Sequence, residues 1–130
     1  KATFVKALLV RAVLCNLNLA GANFQEADLG EADLRGAQLQ EANFTRTNLH
    51  HARLAGLDLS GLSLAGALLI GADLSDANLQ GADLTDADIS QANLKGANLD
   101  DTELTGVNAE GTVLPVRGRL SRWFIGKRRS

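Results

Sequence analysis

The stretch that decides the fold is residues 72–81, which reads Ala72-Asp73-Leu74-Ser75-Asp76-Ala77-Asn78-Leu79-Gln80-Gly81. It is one five-residue unit written twice: a small residue, Asn or Asp, Leu, and two further residues. The same stride continues in both directions. A large apolar residue stands at the centre of every unit from Phe4 to Leu114, except at Ala109, which gives 23 consecutive pentads. The chain is therefore a repeat array, and its fold follows from the repeat and not from any single element.

Three positions of the pentad are restricted. The residue two before the centre is Ala in 16 of 23 pentads, the residue just before the centre is Asn or Asp in 14, and the last residue is Gly in 10. A period of five fits neither the helical period of about 3.6 nor the strand period of 2. Because Asn and Asp bond their own backbone and Gly accepts a positive φ, we expect a short extended side followed by a corner. Stacking such units gives their small and large side chains a shared interior.

This motif, Ala-(Asn/Asp)-Leu-X-X, resembles that of the pentapeptide-repeat family, and the resemblance covers residues 2–114. It implies an all-β solenoid, a right-handed quadrilateral β-helix in which each pentad forms one side. Four pentads to a coil would make 23 pentads into five to six coils. Phe4, Phe24 and Phe44 lie one such coil apart and are expected to stack as a ladder. The expected structural core includes the centre residues Phe4, Phe24, Phe44, Leu64, Leu74, Leu79, Leu84 and Leu94.

We divide the chain into residues 1–16, 17–114 and 115–130. Residues 1–16 keep the stride but lack Asn or Asp before the centre and Gly at the end of the pentad. Two alternatives stay open for this N-terminal cap. As degenerate repeats, Val5, Leu8, Val10 and Val13 would point outward as an apolar collar. As a helix, the same segment would cover the open end of the solenoid.

Residues 115–130 differ in character from the repeat. The stride stops at Pro115, and the following residues carry six positive charges and no acid. Leu120, Trp123 and Phe124 have helical spacing, so we expect a short helix that caps the last coil. The alternatives are a homodimer contact, an anchor for a protein partner, or an anionic-surface contact through Arg128 and Arg129. Trp and Arg are frequent at interfaces, and the partner-binding candidates are Arg119, Leu120, Arg122, Trp123 and Phe124.

Composition and charge narrow the class of protein. No apolar run approaches the roughly 20 residues of a membrane span, so a soluble protein is expected. The single Cys cannot form an internal disulfide, which favours a reducing compartment and a cytoplasmic location. The sequence does not begin with Met, so we expect a trimmed or excised N-terminus. The net charge of −2 is unevenly distributed: residues 1–69 are neutral, residues 70–116 carry −8, and the tail carries +6.

Residues that could carry chemistry are few. His50 and His51 are the one candidate ligand pair, and Glu31, one coil below His51, could join them; a solvated corner is the favoured interpretation. Cys15 is expected to be an incidental outward thiol. Leu17, Leu57 and Leu62 stand where the repeat prefers a small residue, and we expect local widening of the coil there. We expect no catalytic residue, metal or cofactor, because a convex rod offers no cleft.

The sequence favours a non-enzymatic protein-protein interaction or scaffolding module. The alternative, implied by the family resemblance, is a DNA-mimicking modulator of a type II topoisomerase such as gyrase. For that alternative the acidic residues are numerous, but they are spread over all four expected sides and are mixed with Lys and Arg. Direct nucleic-acid binding is not expected, since the cluster of basic residues is confined to the tail.

Overall fold

The structure, a computed structural model, describes residues 1–115. Over this range the backbone forms no helix, and it forms no strand in which consecutive residues pair with a neighbouring segment. Its pairing consists of isolated parallel bridges between residues 20 apart, from Thr3↔Asn23 to Asn93↔Val113. Four pentads therefore complete one coil. The first coil comprises residues 2–21 and the second coil residues 22–41.

A pentad inside the solenoid pairs with the coils on both sides of it, as the pentad of Leu74 does. The N–H of the centre residue Leu74 donates to the carbonyl of Asn93 in the next coil, at 2.8 Å. The N–H of Asp73 donates to the carbonyl of Ala52 in the previous coil, at 3.0 Å. The corner is closed by the N–H of Ala77, which donates to the Leu74 carbonyl at 3.1 Å. The backbone N–H and C=O groups at the corners and on the sides of the solenoid are thus hydrogen-bonded to other residues of the repeat.

The last residue of every pentad from Lys6 to Gly111 has a positive φ; ten of these residues are Gly and twelve are not. A bond from residue i+3 to residue i, with positive φ at i+2 alone, is the geometry of a type II turn. The turn therefore forms whether or not Gly is present. Asp76, with φ of 58°, shows that stacking holds even an acidic residue in this region.

The Asn or Asp before the centre stabilises the approach to each corner. In all 14 pentads that have one, its side-chain oxygen accepts a hydrogen bond from the backbone N–H two residues later. Asp83, for example, accepts from the N–H of Thr85 at 2.9 Å and from its hydroxyl at 2.6 Å. These bonds lower the pKa of the Asp83 carboxyl. The expectation that these residues bond their own backbone is confirmed.

The interior is a column of small and large side chains. The rings of Phe4 and Phe24 stack with centroids 5.0 Å apart, and those of Phe24 and Phe44 with centroids 5.1 Å apart, so the expected ladder is present. These spacings match the roughly 4.8 Å between paired chains. Seven of the eight expected core residues are buried, and Phe4 is partly buried: the buried ones are Phe24, Phe44, Leu64, Leu74, Leu79, Leu84 and Leu94.

Thr at the small position keeps the interior free of unpaired groups. The buried hydroxyl of Thr47 donates to the carbonyl of Phe24 in the coil below, at 2.7 Å. Thr102 makes the same bond to the Leu79 carbonyl at 2.7 Å. Among residues 1–115, no buried side-chain nitrogen or oxygen lacks a hydrogen-bond partner. A polar residue is tolerated here because a carbonyl of the neighbouring coil lies within reach.

Residues 1–16 continue the solenoid and are not helical. Thr3, Leu8 and Val13 form parallel bridges to the second coil, and the corner residues Lys6 and Arg11 have the same positive φ as later corners. Of the two alternatives for this segment, the structure has the coil. The expected C-terminal capping helix falls outside residues 1–115.

The series of bridges has one interruption inside the solenoid. Gln38 and Asp58 would be the next pair on their side, but no bridge joins them within the described chain. Leu57, which precedes Asp58, is buried at a position that elsewhere holds Ala. The missing bridge agrees with the widening expected from a larger side chain at Leu57. Leu62 is accommodated without loss of pairing, because the bridge from Asn43 to Ser63 is intact.

Candidate functional site

The first coil presents an apolar outer surface. Leu8 and Val13 are 85% and 78% exposed, and Val5 and Val10 are about half exposed. This is the collar that the coil alternative predicts for these four residues. Leu17, an inward residue of the same coil, is also 45% exposed, because no coil lies beneath it within the described chain. Exposed large apolar side chains are otherwise few in residues 1–115, and their concentration in one coil marks an interaction surface.

The same coil has backbone groups without partners. In later coils the residue before the centre donates its N–H to the coil below and accepts at its carbonyl from that coil, as Asn23 does with Ala2 and Phe4. In the first coil both groups lack a backbone partner within residues 1–115. We call these N–H and C=O groups the first-coil edge; they belong to Thr3, Leu8, Val13 and Asn18.

The corners near this edge are basic. Lys1, Lys6 and Arg11 are the only charged residues before Glu26. Arg11 forms an ion pair with Glu31 in the second coil, with Nε and Oε2 3.6 Å apart. The aliphatic stem of Lys1 lies against Gly21, which is one coil further on. At least two of the three basic side chains therefore lean toward the body of the solenoid and leave the edge apolar.

The partner-binding candidates of the sequence lie outside the described residues. These are Arg119, Leu120, Arg122, Trp123 and Phe124, together with Arg128 and Arg129. The tail-mediated homodimer and the partner anchor therefore stay predictions.

The histidines do not converge with Glu31. His50 Nδ1 lies 2.9 Å from Asn48 Oδ1, and the two imidazole rings meet edge to face with centroids 5.7 Å apart. Glu31 instead pairs with Arg11. The ring of His51 leans over Gly71 in the next coil and occupies the space that a Cβ there would need. Over residues 1–115, no group of three His, Cys, Asp or Glu side chains is arranged to hold a metal ion.

Cys15 lies beside an ion pair. Its Sγ is 3.8 Å from the backbone carbonyl oxygen of Asp33, and the carboxylate of Asp33 bonds Arg35 at 2.7 Å. Hydrogen bonding to Asp33 and burial raise the pKa of the Cys15 thiol. The thiolate, which is the nucleophilic form, is therefore disfavoured. The Arg35 guanidinium holds the pKa of the Asp33 carboxyl well below its usual range.

The repeat itself is matched by the family model for pentapeptide repeats, in eight copies that span residues 1–36, 27–61, 54–91 and 82–114. These matches cover most of the chain. The chain belongs to the pentapeptide-repeat family. Proteins of this family form right-handed quadrilateral β-helices, and the bridges between residues 20 apart agree with that architecture.

Solved structures of other pentapeptide-repeat proteins support the fold. A protein from the thylakoid lumen of Arabidopsis thaliana is 31% identical; the match covers 88% of this chain and 77% of that one, with a TM-score of 0.66. A trypsin-treated variant of QnrB1, a plasmid-mediated fluoroquinolone resistance protein, is 23% identical. That match covers 98% of this chain and 70% of the other, with a TM-score of 0.63, and it concerns the fold alone. No protein of curated function matches the sequence. The described chain has no helix with the length and hydropathy that crossing a membrane requires.

Sequence reasoning found the apolar collar but missed the backbone part of this site. The pentad pattern shows which side chains face outward, and it identifies Val5, Leu8, Val10 and Val13 directly. It interprets Leu17 as a site of widening, whereas its exposure follows from its place in the first coil.

Proposed function

We propose that this pentapeptide-repeat protein is a non-enzymatic protein-protein interaction or scaffolding module. The observation that carries the proposal is the apolar collar of the first coil, formed by the outward side chains of Val5, Leu8, Val10 and Val13. Inward positions are filled by packed side chains, and the Asn and Asp residues before the centres are bonded to their own backbone. The surfaces left for molecular contact by the described residues are therefore the outer faces of the solenoid.

Three finer features accompany this proposal. The solenoid has five to six coils, counted from 23 pentads at four per coil. Residues 115–130, predicted from the sequence as a basic tail or a capping helix, carry the second partner-binding surface, through Arg119, Leu120, Arg122, Trp123 and Phe124. The protein is cytoplasmic, which is supported by the single Cys.

Affinity capture from the native source tests the interaction role. The 130-residue chain is immobilised beside two variants, Val13→Lys in the collar and Trp123→Ala in the tail. We expect a partner that is retained by the native chain and lost with at least one of the two variants. The matched control is Val113→Lys, which changes an exposed Val on the same side of the solenoid, five coils further on. A chain that captures no partner, and in which deletion of residues 117–130 changes stability alone, contradicts the proposal.

The second candidate function is a DNA-mimicking modulator of a type II topoisomerase. It is favoured by one observation, the net charge of −8 over residues 70–116, where Lys95 is the sole basic residue. Duplex DNA has about one negative charge per 1.7 Å, so such a mimic needs a dense acidic surface. A gyrase supercoiling assay tests it directly. Inhibition or protection at micromolar protein that weakens with added salt supports mimicry, and no effect at that concentration removes it.

A further inference from the structure

One side of the solenoid changes its chemical character from coil to coil. By the count of four pentads, the third, fourth and fifth coils comprise residues 42–61, 62–81 and 82–101. We call the side that contains the pentad of Leu69 the Leu69 side, and its surface in these three coils consists of residues 46–51, 66–71 and 86–91. Parallel bridges join Leu68 to the coil on either side of it, so the three segments are stacked in register. This surface lies inside the array, away from both ends of the described chain.

The middle segment of the Leu69 side is uncharged and apolar. Leu68 occupies the position before the centre, where most pentads have Asn or Asp, and its side chain is 43% exposed. Ile70 is partly exposed beside it. Gly66 and Gly71 form the corners at the two ends of the segment. Two large apolar side chains are therefore open to contact between polar neighbours.

The two flanking segments carry opposite charge. Residues 46–51 contain Arg46 and two histidines with no acid, whereas residues 86–91 contain Asp86 and Asp88 with no base. Arg46 and Asp86 stand at the same corner of the solenoid, two coils apart, and both are exposed. Within residues 1–115, Asp86 forms no ion pair. The three segments thus follow the order basic, apolar, acidic.

This order is complementary to itself when two copies meet in opposite directions. Consider a twofold axis that lies in the contact plane, parallel to the pentads, and passes between the two fourth coils. It makes the solenoid axes antiparallel and places Leu68 opposite Leu68 of the second copy. The third coil of each copy then faces the fifth coil of the other, so the basic segment meets the acidic one twice. Closed twofold dimers of this kind are the commonest soluble oligomers, and complementary charge fixes their register.

The positions of the two charged corner groups agree with this register. The guanidinium of Arg46 lies toward the second coil, where its Nη2 is 3.7 Å from Oε1 of Glu26. The carboxylate of Asp86 leans toward the sixth coil and occupies the space that a Cβ on Gly106 would need. In the antiparallel arrangement the second coil of one copy faces the sixth coil of the other. The guanidinium and the carboxylate therefore lie opposite each other across the contact.

The other twofold arrangement brings like charges together. With the axis parallel to the solenoid, each segment of the Leu69 side faces the same segment of the second copy, and two acidic segments meet in the fifth coils. The antiparallel arrangement does place residues 26–31 opposite residues 106–111, and both segments are acidic. However, Glu26 and Glu31 are each paired with an arginine of their own chain, and each stands opposite a corner glycine of the second copy. Charge therefore selects the antiparallel arrangement.

We propose that the Leu69 side is a self-association surface, on which two copies of this chain pack face to face with antiparallel solenoid axes. Leu68 lies at the twofold axis, and Arg46 of each copy pairs with Asp86 of the other. The contact is one pentad wide and about five coils, or roughly 24 Å, long, which is small for a stable interface, so the dimer is weak and reversible. The proposal goes beyond the interaction role of the collar and the tail, and it stands whether or not another protein binds there.

Sedimentation velocity of the full 130-residue chain at low ionic strength tests the proposal. From about 1 μM to about 500 μM protein we expect a reversible monomer-dimer equilibrium that added salt weakens. Leu68→Lys places two ammonium groups at the axis and should weaken the dimer by about tenfold or more. Val113→Lys is the matched control, because it changes an apolar residue that is 52% exposed at the same pentad position on the adjacent side. The control should leave the dimer unchanged.

A charge exchange tests the register of the contact. Arg46→Asp and Asp86→Arg should each weaken the dimer, and the double variant should restore it to within about twofold, because it rebuilds the pair with the charges exchanged. Both corners already have a positive φ in the native chain, so the exchange places each residue type at a corner of the same geometry. Thermal unfolding by circular dichroism should show all variants folded.

The remaining outcomes each contradict the proposal. A dimer that persists in Leu68→Lys but is lost in Leu8→Lys overturns it in favour of the collar. A dimer that only deletion of residues 117–130 removes overturns it in favour of the tail. If the double variant stays as weak as the single ones, the antiparallel register is wrong. A chain that stays monomeric throughout the concentration range overturns the proposal outright, whereas capture of another protein by the collar is unaffected by that result.

Discussion

The first coil and the coils above it share one backbone path but differ in chemistry. Lys6 and Arg11 turn with the same positive φ as Gly71 and Gly81, and bridges join residues 20 apart in both regions. Yet the first three pentads have no Asn or Asp before the centre and no Gly at the corner. The stride of inward apolar residues therefore determines the path, whereas Asn, Asp and Gly stabilise it. Where they are missing, the outer surface is free to be apolar.

The largest expected difference between the two regions is in the cost of a core truncation. Leu74→Ala should lower the free energy of unfolding by about 2–5 kcal/mol, because coils above and below prevent collapse into the cavity. Leu14→Ala, at the partly buried centre of a first-coil pentad, should cost well under half as much. Urea denaturation of both variants measures the difference, with m-values compared to detect loss of cooperativity.

Equal costs for the two truncations would contradict this view of the first coil. They would mean that the first-coil interior is as well covered in solution as the interior of the later coils.

Exchanging the residue before the centre tests its stabilising role in both regions. Asp83→Ala removes the acceptor of the Thr85 N–H and hydroxyl and should cost about 1 kcal/mol. The reciprocal change, Leu8→Asn, offers a new acceptor to the N–H of Val10. Leu8 is too exposed to lose much burial, so we expect a gain of a few tenths of a kcal/mol up to about 1.

Thermal and urea unfolding provide the measurement. Leu8→Thr is the control, because it removes the same apolar surface without providing a carboxamide. If Leu8→Asn stabilises no more than Leu8→Thr, the hydrogen bond has no role in the first coil, and its contribution elsewhere depends on neighbouring Asn and Asp side chains.

Most of the fold could be predicted from the sequence, because the repeat encodes it locally. Five-residue spacing excludes helices and long strands, and the regular spacing of Phe4, Phe24 and Phe44 along the chain indicates the length of one coil, which the stacked rings confirm. The site could be predicted in part. Which side chains face outward follows from the pentad, but which backbone groups lack partners depends on how a coil pairs with both its neighbours.

The interruption at Leu57 could not be predicted in detail. Leu17, Leu57 and Leu62 all stand where the repeat prefers a small residue, yet their surroundings differ. Leu17 lies in the exposed first coil, Leu57 lies beside the missing bridge, and Leu62 lies at neither place. The difference arises from the space that the neighbouring coils leave for each side chain. A pattern that treats every pentad alike contains no such information.

Hydrogen exchange should detect this interruption as a local effect. The N–H groups of Leu39 and Glu41 lack the inter-coil acceptors that the equivalent groups of other coils have in residues 1–115, so they should exchange at least about tenfold faster than those of Phe24 and Leu79. Leu57→Ala should slow their exchange by allowing the two coils to approach. Slow exchange of Leu39 in the native chain would contradict the interruption.

The smallest expected effect is on the pH dependence of the free energy of unfolding, through the pair between Asp33 and Arg35 that lies beside Cys15. The pKa of Asp33 is held below its ordinary value of 3.8, chiefly by the side-chain hydrogen bond from Arg35. A depressed carboxyl pKa stabilises the folded state fully above that ordinary value, and the contribution is lost as pH falls through it toward the folded-state pKa. The free energy of unfolding of the native chain should therefore decline more between pH 5 and about pH 2 than that of Asp33→Asn. Arg35→Gln should likewise flatten the decline, because it removes the cation that favours the charged carboxylate. Parallel pH profiles for all three proteins would show that the pair between Asp33 and Arg35 is a solvated contact that adds nothing to the stability of the second coil.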